Sequence, residues 1–85
     1  MASRVIIISE IESAVKDEYS DWKIGITNDP ANRKAQLGNP LSWLQWKAAS
    51  KEVASFVMQH FLNQGLKNAG KKPEPGEYVF IFLQD

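Results

Sequence analysis

The stretch WKIGITNDPANRKAQLG, residues 22–38, constrains the fold of this chain more than any other. Apolar side chains alternate with small or polar ones in its first six residues, which is the two-residue period of a strand. Asp29 suits an N-cap, where its carboxylate satisfies backbone N–H groups, and Pro30 suits the first helical position. The stretch predicts a strand over 21–27, a tight turn, and a helix over 30–37 that ends at a glycine.

Local patterns predict two further strands, one on each side of this unit. The continuously β-branched run at 5–8 predicts a first strand over 4–11, which pairs antiparallel with the second. Residues 12–21 are polar and irregular, and they fit either a hairpin loop or one helical turn. Beyond the helix, renewed alternation predicts a third strand over 41–48.

The last third of the chain predicts a long helix and a final strand. Ser50 suits an N-cap, and the apolar residues after it follow helical spacing, so a helix is predicted over 51–66. Glycines, prolines and lysines predict a loop over 68–76. The segment 77–83 is apolar on both faces, which is typical of a strand inside a sheet.

The element order β-β-α-β-α-β predicts an α+β fold, in which two helices pack on a small, mainly antiparallel sheet. The chain has 85 residues and no cysteine, so we expect one domain, 1–85, held together by aromatic and aliphatic packing. No segment has the length of a membrane span or the pattern of a signal peptide. The sequence therefore predicts a cytoplasmic protein that does not enter membranes.

The ten basic and ten acidic side chains cancel in total but are unevenly distributed. Residues 23–72 hold eight basic and two acidic side chains, whereas the segments before and after are each net acidic. A neutral total argues against strong non-specific binding to nucleic acid, which needs many phosphate contacts. The basic segment 23–72 either forms one cationic face, or it lies beside the acidic segments, which then cancel its charge.

The motif KIGITNDPANR, followed by GNP at residues 38–40, resembles the second half of the GIY-YIG nuclease core in its compact branch. In this resemblance KIG at residues 23–25 stands at the YIG triplet, and Arg33 stands at the catalytic arginine. The later helix with QHF at residues 59–61 and the final aromatic strand also occur where proteins of this family have a helix and a strand. The resemblance implies a GIY-YIG-like fold and the cleavage of phosphodiester bonds.

In that family a tyrosine hydroxyl helps to deprotonate the attacking water, a helical glutamate holds a divalent metal such as Mg²⁺, and an arginine steadies the phosphate. Arg33 matches the arginine, and the structural alternative for it is a solvated helix residue that makes a surface pair. Lys23 occupies the position of the YIG tyrosine, and the first predicted strand has no GIY triplet. The long helix has no carboxylate at 56–59, where the metal ligand is expected. The sequence therefore favours a domain that has lost cleavage, and Mg²⁺ is expected only if the enzyme is active.

Three other residues are candidates for the site, each with a structural alternative. Glu52 is a candidate metal ligand, although its place in the first turn is also explained by the helix macrodipole. His60 is a candidate for proton transfer near Arg33, or a half-buried histidine bonded to backbone. Trp43 is either a core residue, as most tryptophans are, or, because it shares a strand face with Lys47, a partly exposed one whose indole can stack on a base or anchor a protein partner.

The sequence supports three functional hypotheses. The first is a catalytically degenerate GIY-YIG-like domain that binds nucleic acid through a basic face formed by Lys23, Arg33, Lys34, Lys47 and Trp43. The second is a working metal-dependent endonuclease that uses Arg33, Glu52, His60 or Tyr19 in an altered arrangement. The third is a phage or mobile-element protein that binds and inhibits a host protein. The absent catalytic groups favour the first hypothesis over the second, and the sequence does not separate the first from the third.

Overall fold

The structure is a computed structural model of the chain, and it describes residues 3–69 and 76–83. In these ranges the fold is α+β, with three α-helices and four strands. The elements in chain order are α1 (Arg4–Val15), a 3₁₀ turn (Tyr19–Asp21), β1 (Trp22–Thr27), α2 (Pro30–Gln36), β2 (Trp43–Lys47), α3 (Lys51–Gln64), β3 (Lys67–Asn68) and β4 (Tyr78–Leu83).

The strands form one mixed sheet in the order β2-β4-β1-β3. The central strand β4 pairs antiparallel with both β1 and β2, so that Phe80 lies between Gly25 and Gln45. The short strand β3 pairs parallel with β1. Antiparallel pairing therefore predominates, as the sequence predicts, and β2 forms one edge of the sheet.

The predicted first strand over 4–11 is wrong, because this segment belongs to the helix α1. Ile7, Ile11 and Val15 recur every four residues and are all buried, so one face of a helix carries the apolar stripe. Ser3 begins the helix by accepting a hydrogen bond from a first-turn N–H at 3.4 Å. Burial of this stripe overrides the strand propensity of the β-branched run, which depends strongly on context. The predicted order β-β-α-β-α-β and the count of two helices are corrected accordingly.

The other predicted elements agree with the structure to within a few residues. The segment 21–27 is β1, 30–37 is α2, 41–48 is β2, 51–66 is α3 and 77–83 is β4. The polar segment 12–21 holds the end of α1 and the 3₁₀ turn. Most of the predicted loop over 68–76 lies outside the described residues.

Both predicted helix starts are confirmed by their caps. Asp29 accepts a hydrogen bond from the N–H of Asn32 at 3.1 Å, and Ser50 accepts one from that of Val53 at 3.2 Å. Each cap satisfies a backbone donor that has no partner inside the helix. Gly65 ends α3 with a φ of 124°, which L side chains rarely adopt.

The main core lies between one face of the sheet and the helices α1 and α3. It joins the α1 stripe to Ala54, Val57, Met58 and Phe61 of α3 and to Trp22, Ile24, Ile26, Val79 and Ile81 of the sheet. Phe80 and Phe82 alternate with these strand residues and point to the opposite face, where they are also buried. Within the described residues, no helix is both long and apolar enough to cross a membrane.

Candidate nucleic-acid interface

The sheet face that points away from α1 and α3 carries a set of nearly parallel aromatic rings. The ring of Trp43 lies 4.5 Å from that of Phe80 and 5.8 Å from that of Phe82, measured between centroids, at interplanar angles of 10° and 15°. The two phenylalanine rings lie 6.2 Å apart at 14°. We call these three residues the ring cluster, and the sheet face that carries them the ring face. Aromatic pairs at these separations attract one another beyond the area that they bury.

Gly25 lies directly beneath the ring cluster on β1. A Cβ atom at this position would lie 2.5 Å from the tip of the Phe80 ring, which is closer than such atoms approach one another. Glycine is therefore required here for as long as the phenylalanine keeps its place. Gly25 thus has a packing role that is independent of any chemistry.

Trp43 is the member of the ring cluster that solvent reaches. Phe80 is fully buried and Phe82 is 6% exposed, whereas Trp43 is half-buried. The indole Nε1–H donates to the Oε1 of Gln45 at 2.8 Å, and this bond together with the ring stack fixes the orientation of the indole. A flat ligand would meet a surface that is already ordered, so binding would cost little side-chain entropy.

A row of paired residues across all four strands places two lysines beside the ring cluster. In strand order from β3 to β2 the row contains Lys67, Lys23, Phe82 and Trp43, and paired residues point to the same face. The two lysines are adjacent, and like charges on neighbouring strands destabilise a sheet. An anion bound between them would relieve that repulsion.

Lys47 supplies a further positive charge at the other end of the ring face. It pairs with Tyr78, and its amine lies 5.8 Å from the centroid of the tyrosine ring. Tyr78 lies four residues before Phe82 on β4, which corresponds to about 13 Å along the strand. No position of the ring face on β1, β2 or β4 holds an acidic residue. On this face the basic segment of the chain is therefore not cancelled by acidic side chains.

Arg33 and Lys34 lie on α2, which begins three residues after β1 ends. Both are half-buried, and Arg33 Nη1 donates to the Oε1 of Gln36 at 3.2 Å. The turn before α2 is held by Thr27, whose Oγ1 accepts from the N–H of Asp29 at 3.1 Å. Arg33 and Lys34 therefore come shortly after β1 in the chain, which leaves the sheet at the end where Thr27 pairs with Tyr78.

Glu52 and His60 lie on α3, on the opposite side of the sheet from the ring cluster. Glu52 is exposed in the first turn. His60 is half-buried and meets Phe61 edge to face, with centroids 4.9 Å apart, and its buried Nε2 has no hydrogen-bond partner among the described residues. The structure does not bring these two side chains to Trp43, Lys23 or Lys47. In residues 3–69 and 76–83, no group of three histidine, aspartate or glutamate side chains is arranged to hold a metal ion.

Sequence reasoning missed several members of the ring face: Phe80 and Phe82 as stacking partners, Gln45 as the acceptor that orients the indole, and Lys67. The alternation of aromatic residues in β4 was visible in the sequence. Their contact with Trp43 depends on the register between β2 and β4, and the place of Lys67 depends on a two-residue parallel pairing. Local patterns do not determine either of these features.

The chain was compared with protein-family models, with curated proteins and with solved structures, and none of the three comparisons gives a match. The candidate interface has a defined geometry of its own. That geometry consists of an ordered indole, an adjacent pair of lysines, and a sheet face on which β1, β2 and β4 place no acid.

Proposed function

We propose that this chain is a small domain that binds nucleic acid through the ring face. In this proposal a base stacks on the Trp43 indole, and Lys23, Lys67 and Lys47 contact the phosphates on either side. The observation that carries the proposal is the row of paired residues that sets two adjacent lysines beside a fixed indole. Stacking platforms flanked by cations are typical of proteins that bind single strands with little preference for sequence.

The chemistry of the ring face fits a ligand that has both negative charge and planar groups better than a ligand that has only one of these. Adjacent lysines attract any phosphate, but they do not require a ring beside it. An ordered indole attracts any flat apolar group, but it does not require charge. Nucleic acid combines both requirements at a regular spacing.

The proposal includes the relationship to GIY-YIG nucleases that the sequence motif suggests, with Arg33 as an additional phosphate contact and Lys34 beside it. Lys23 stands in place of the YIG tyrosine, and the helix α1 stands where that family has its GIY strand. Neither replacement supplies a phenol. These residues therefore support a domain that binds nucleic acid without cleaving it. In this proposal Mg²⁺ is expected only if the chain also cleaves its ligand.

The test is a titration of the full chain with a fluorescently labelled oligothymidylate at low salt. We expect Trp43→Ala to raise the dissociation constant about tenfold, because stacking of one base on an aromatic side chain contributes ~1–3 kcal/mol. Trp43→Phe should restore most of the affinity, since it keeps a ring on the face. Phe56→Ala on α3 is the matched control, because this aromatic side chain is 47% exposed on the helical side of the sheet and its loss should leave the affinity unchanged.

Three outcomes would contradict the proposal. No binding at low salt, or binding that is equal in the wild type and Trp43→Ala, would remove the ring face from consideration and would favour a protein partner. Metal-dependent nicking of plasmid DNA that is lost in Arg33→Ala would instead establish the alternative, an active endonuclease. Nicking is measured in the same preparations, so the two alternatives are distinguished directly.

A further inference from the structure

The edge strand β2 directs alternate backbone groups away from the sheet. The Ser42 carbonyl accepts from the N–H of Leu83, and the Ala48 N–H donates to the carbonyl of Glu77, so the even-numbered residues of β2 bond to β4. In an antiparallel ladder the residues between them point the other way. The outward groups are those of Trp43, Gln45 and Lys47, and no described strand pairs with them.

We propose that a second copy of this chain pairs with β2, antiparallel, about a two-fold axis through Gln45. In this register Gln45 lies opposite Gln45 of the second copy, and Trp43 lies opposite Lys47 of the second copy. All three outward-facing residues then form hydrogen-bonded pairs, which adds about six backbone hydrogen bonds. The two sheets of four strands join into one sheet of eight.

The side chains on the ring face are self-complementary in this register. Gln45 Oε1 accepts from the Trp43 indole, and the amide NH₂ group of this exposed side chain is available to donate to the second copy. The two amides can therefore donate to each other, since each carbonyl oxygen accepts two hydrogen bonds. Lys47 of each copy lies opposite Trp43 of the other in this register. The amine, which lies 5.8 Å from the Tyr78 ring centroid in the single chain, can then reach the indole of the second copy for a cation–π contact.

The opposite face of the same edge has space for an apolar side chain. A groove of about 420 Å³ runs between α1 and β2 and is lined by Glu10, Ser13, Ala14, Leu44, Gln45 and Trp46. Leu44 is 41% exposed at this groove. In the proposed register Leu44 of the second copy lies opposite Trp46, so it enters the groove and the exposed area of both leucines falls. A closed two-fold contact of this kind uses the same surface of both copies.

The edge also disfavours the competing registers. Moving the axis by one residue to Leu44 or to Trp46 leaves only two of the three outward-facing residues paired with each other. An axis at Lys47 sets two lysines opposite each other, which is the usual means by which edge strands resist pairing. This self-complementarity about Gln45 favours a second copy over a strand from an unrelated protein.

Sedimentation equilibrium of the full chain tests the proposal, and we expect a mass twice that of one chain. Gln45→Pro should give the mass of one chain, because it removes the central outward N–H and leaves the bonds between β2 and β4 in place. Gln45→Thr keeps that N–H and should remain a dimer. Circular dichroism on both variants establishes that the fold is retained. A wild-type mass of one chain at concentrations up to ~1 mM, or a dimer that persists in folded Gln45→Pro, would overturn the proposal.

A cysteine variant tests the register separately, since the natural chain has no cysteine. In Gln45→Cys the two thiols face each other across a pair whose Cα atoms are about 5.5 Å apart, within the reach of a disulfide. Mild oxidation should therefore link the dimer covalently. In Lys47→Cys the two thiols are four residues apart along the strands, about 13 Å, and should not link. Equal linking in both variants would overturn the register.

Discussion

At the scale of single residues, the contact between Gly25 and Phe80 determines how the ring face is packed. We expect Gly25→Ala to lower the free energy of unfolding by about 1–3 kcal/mol, which is the usual range for overpacking of a filled core. The cause is the clash of the new methyl group with the phenylalanine ring. Urea denaturation followed by far-ultraviolet circular dichroism measures the change.

The control for this prediction is the combination of Gly25→Ala with Phe80→Leu. The shorter leucine makes room for the methyl group, so the double variant should lose less stability than the two single variants together. Strictly additive losses would show that the methyl group and the ring do not meet. The same residues explain why a glycine is found in the middle of a well-paired strand.

At the scale of elements, α1 differs most from expectation and offers the clearest test of the fold. Ile11 is fully buried beneath the sheet, whereas Ile6 is 54% exposed on the same helix. We expect Ile11→Ala to lower the free energy of unfolding by about 2–5 kcal/mol, as other large-to-small core substitutions do. The measurement is chemical denaturation of the full chain.

Ile6→Ala is the matched control on that helix. The side chain is largely in solvent, and alanine has the highest helix propensity, so stability should be unchanged or slightly increased. If residues 4–11 formed a strand covered on both faces, the two substitutions would be comparably destabilising. A large loss of stability in Ile6→Ala would therefore contradict the helix.

At the scale of the whole molecule, charge is unevenly divided between the two sides of the sheet. The helices α1 and α3 together carry three acidic and two basic side chains, which nearly cancel, whereas Lys23, Lys47 and Lys67 lie on the ring face. A chain with no net charge therefore presents a cationic surface to a ligand. This arrangement permits salt-dependent binding at one face without strong attraction of nucleic acid to the rest.

The dependence of binding on salt tests this uneven division of charge. For a single-stranded ligand each phosphate contact contributes about 0.7 to the slope of log K against log salt concentration. We expect Lys23→Gln to reduce the slope by about that amount, in titrations from low to moderate salt. Lys51→Gln on α3 is the control and should leave the slope unchanged, because the lysine lies on the helical side. Equal changes in both variants would mean that only the total charge matters.

Local sequence patterns were sufficient to predict most of the individual helices and strands. The turn at Asp29 and Pro30 gave a strand followed by a helix, Ser50 marked the start of α3, and alternation located β2 and β4. These features depend on hydrogen bonds and dihedral preferences within a few residues, so they can be predicted without knowledge of the rest of the chain.

The remaining features depend on contacts between distant parts of the chain. A β-branched run became a helix because burying every fourth residue of α1 on α3 and the sheet outweighs local propensity. The row of Lys67, Lys23, Phe82 and Trp43 joins residues from four separate strands. Its formation depends on register and strand order, which arise from packing between distant parts of the chain.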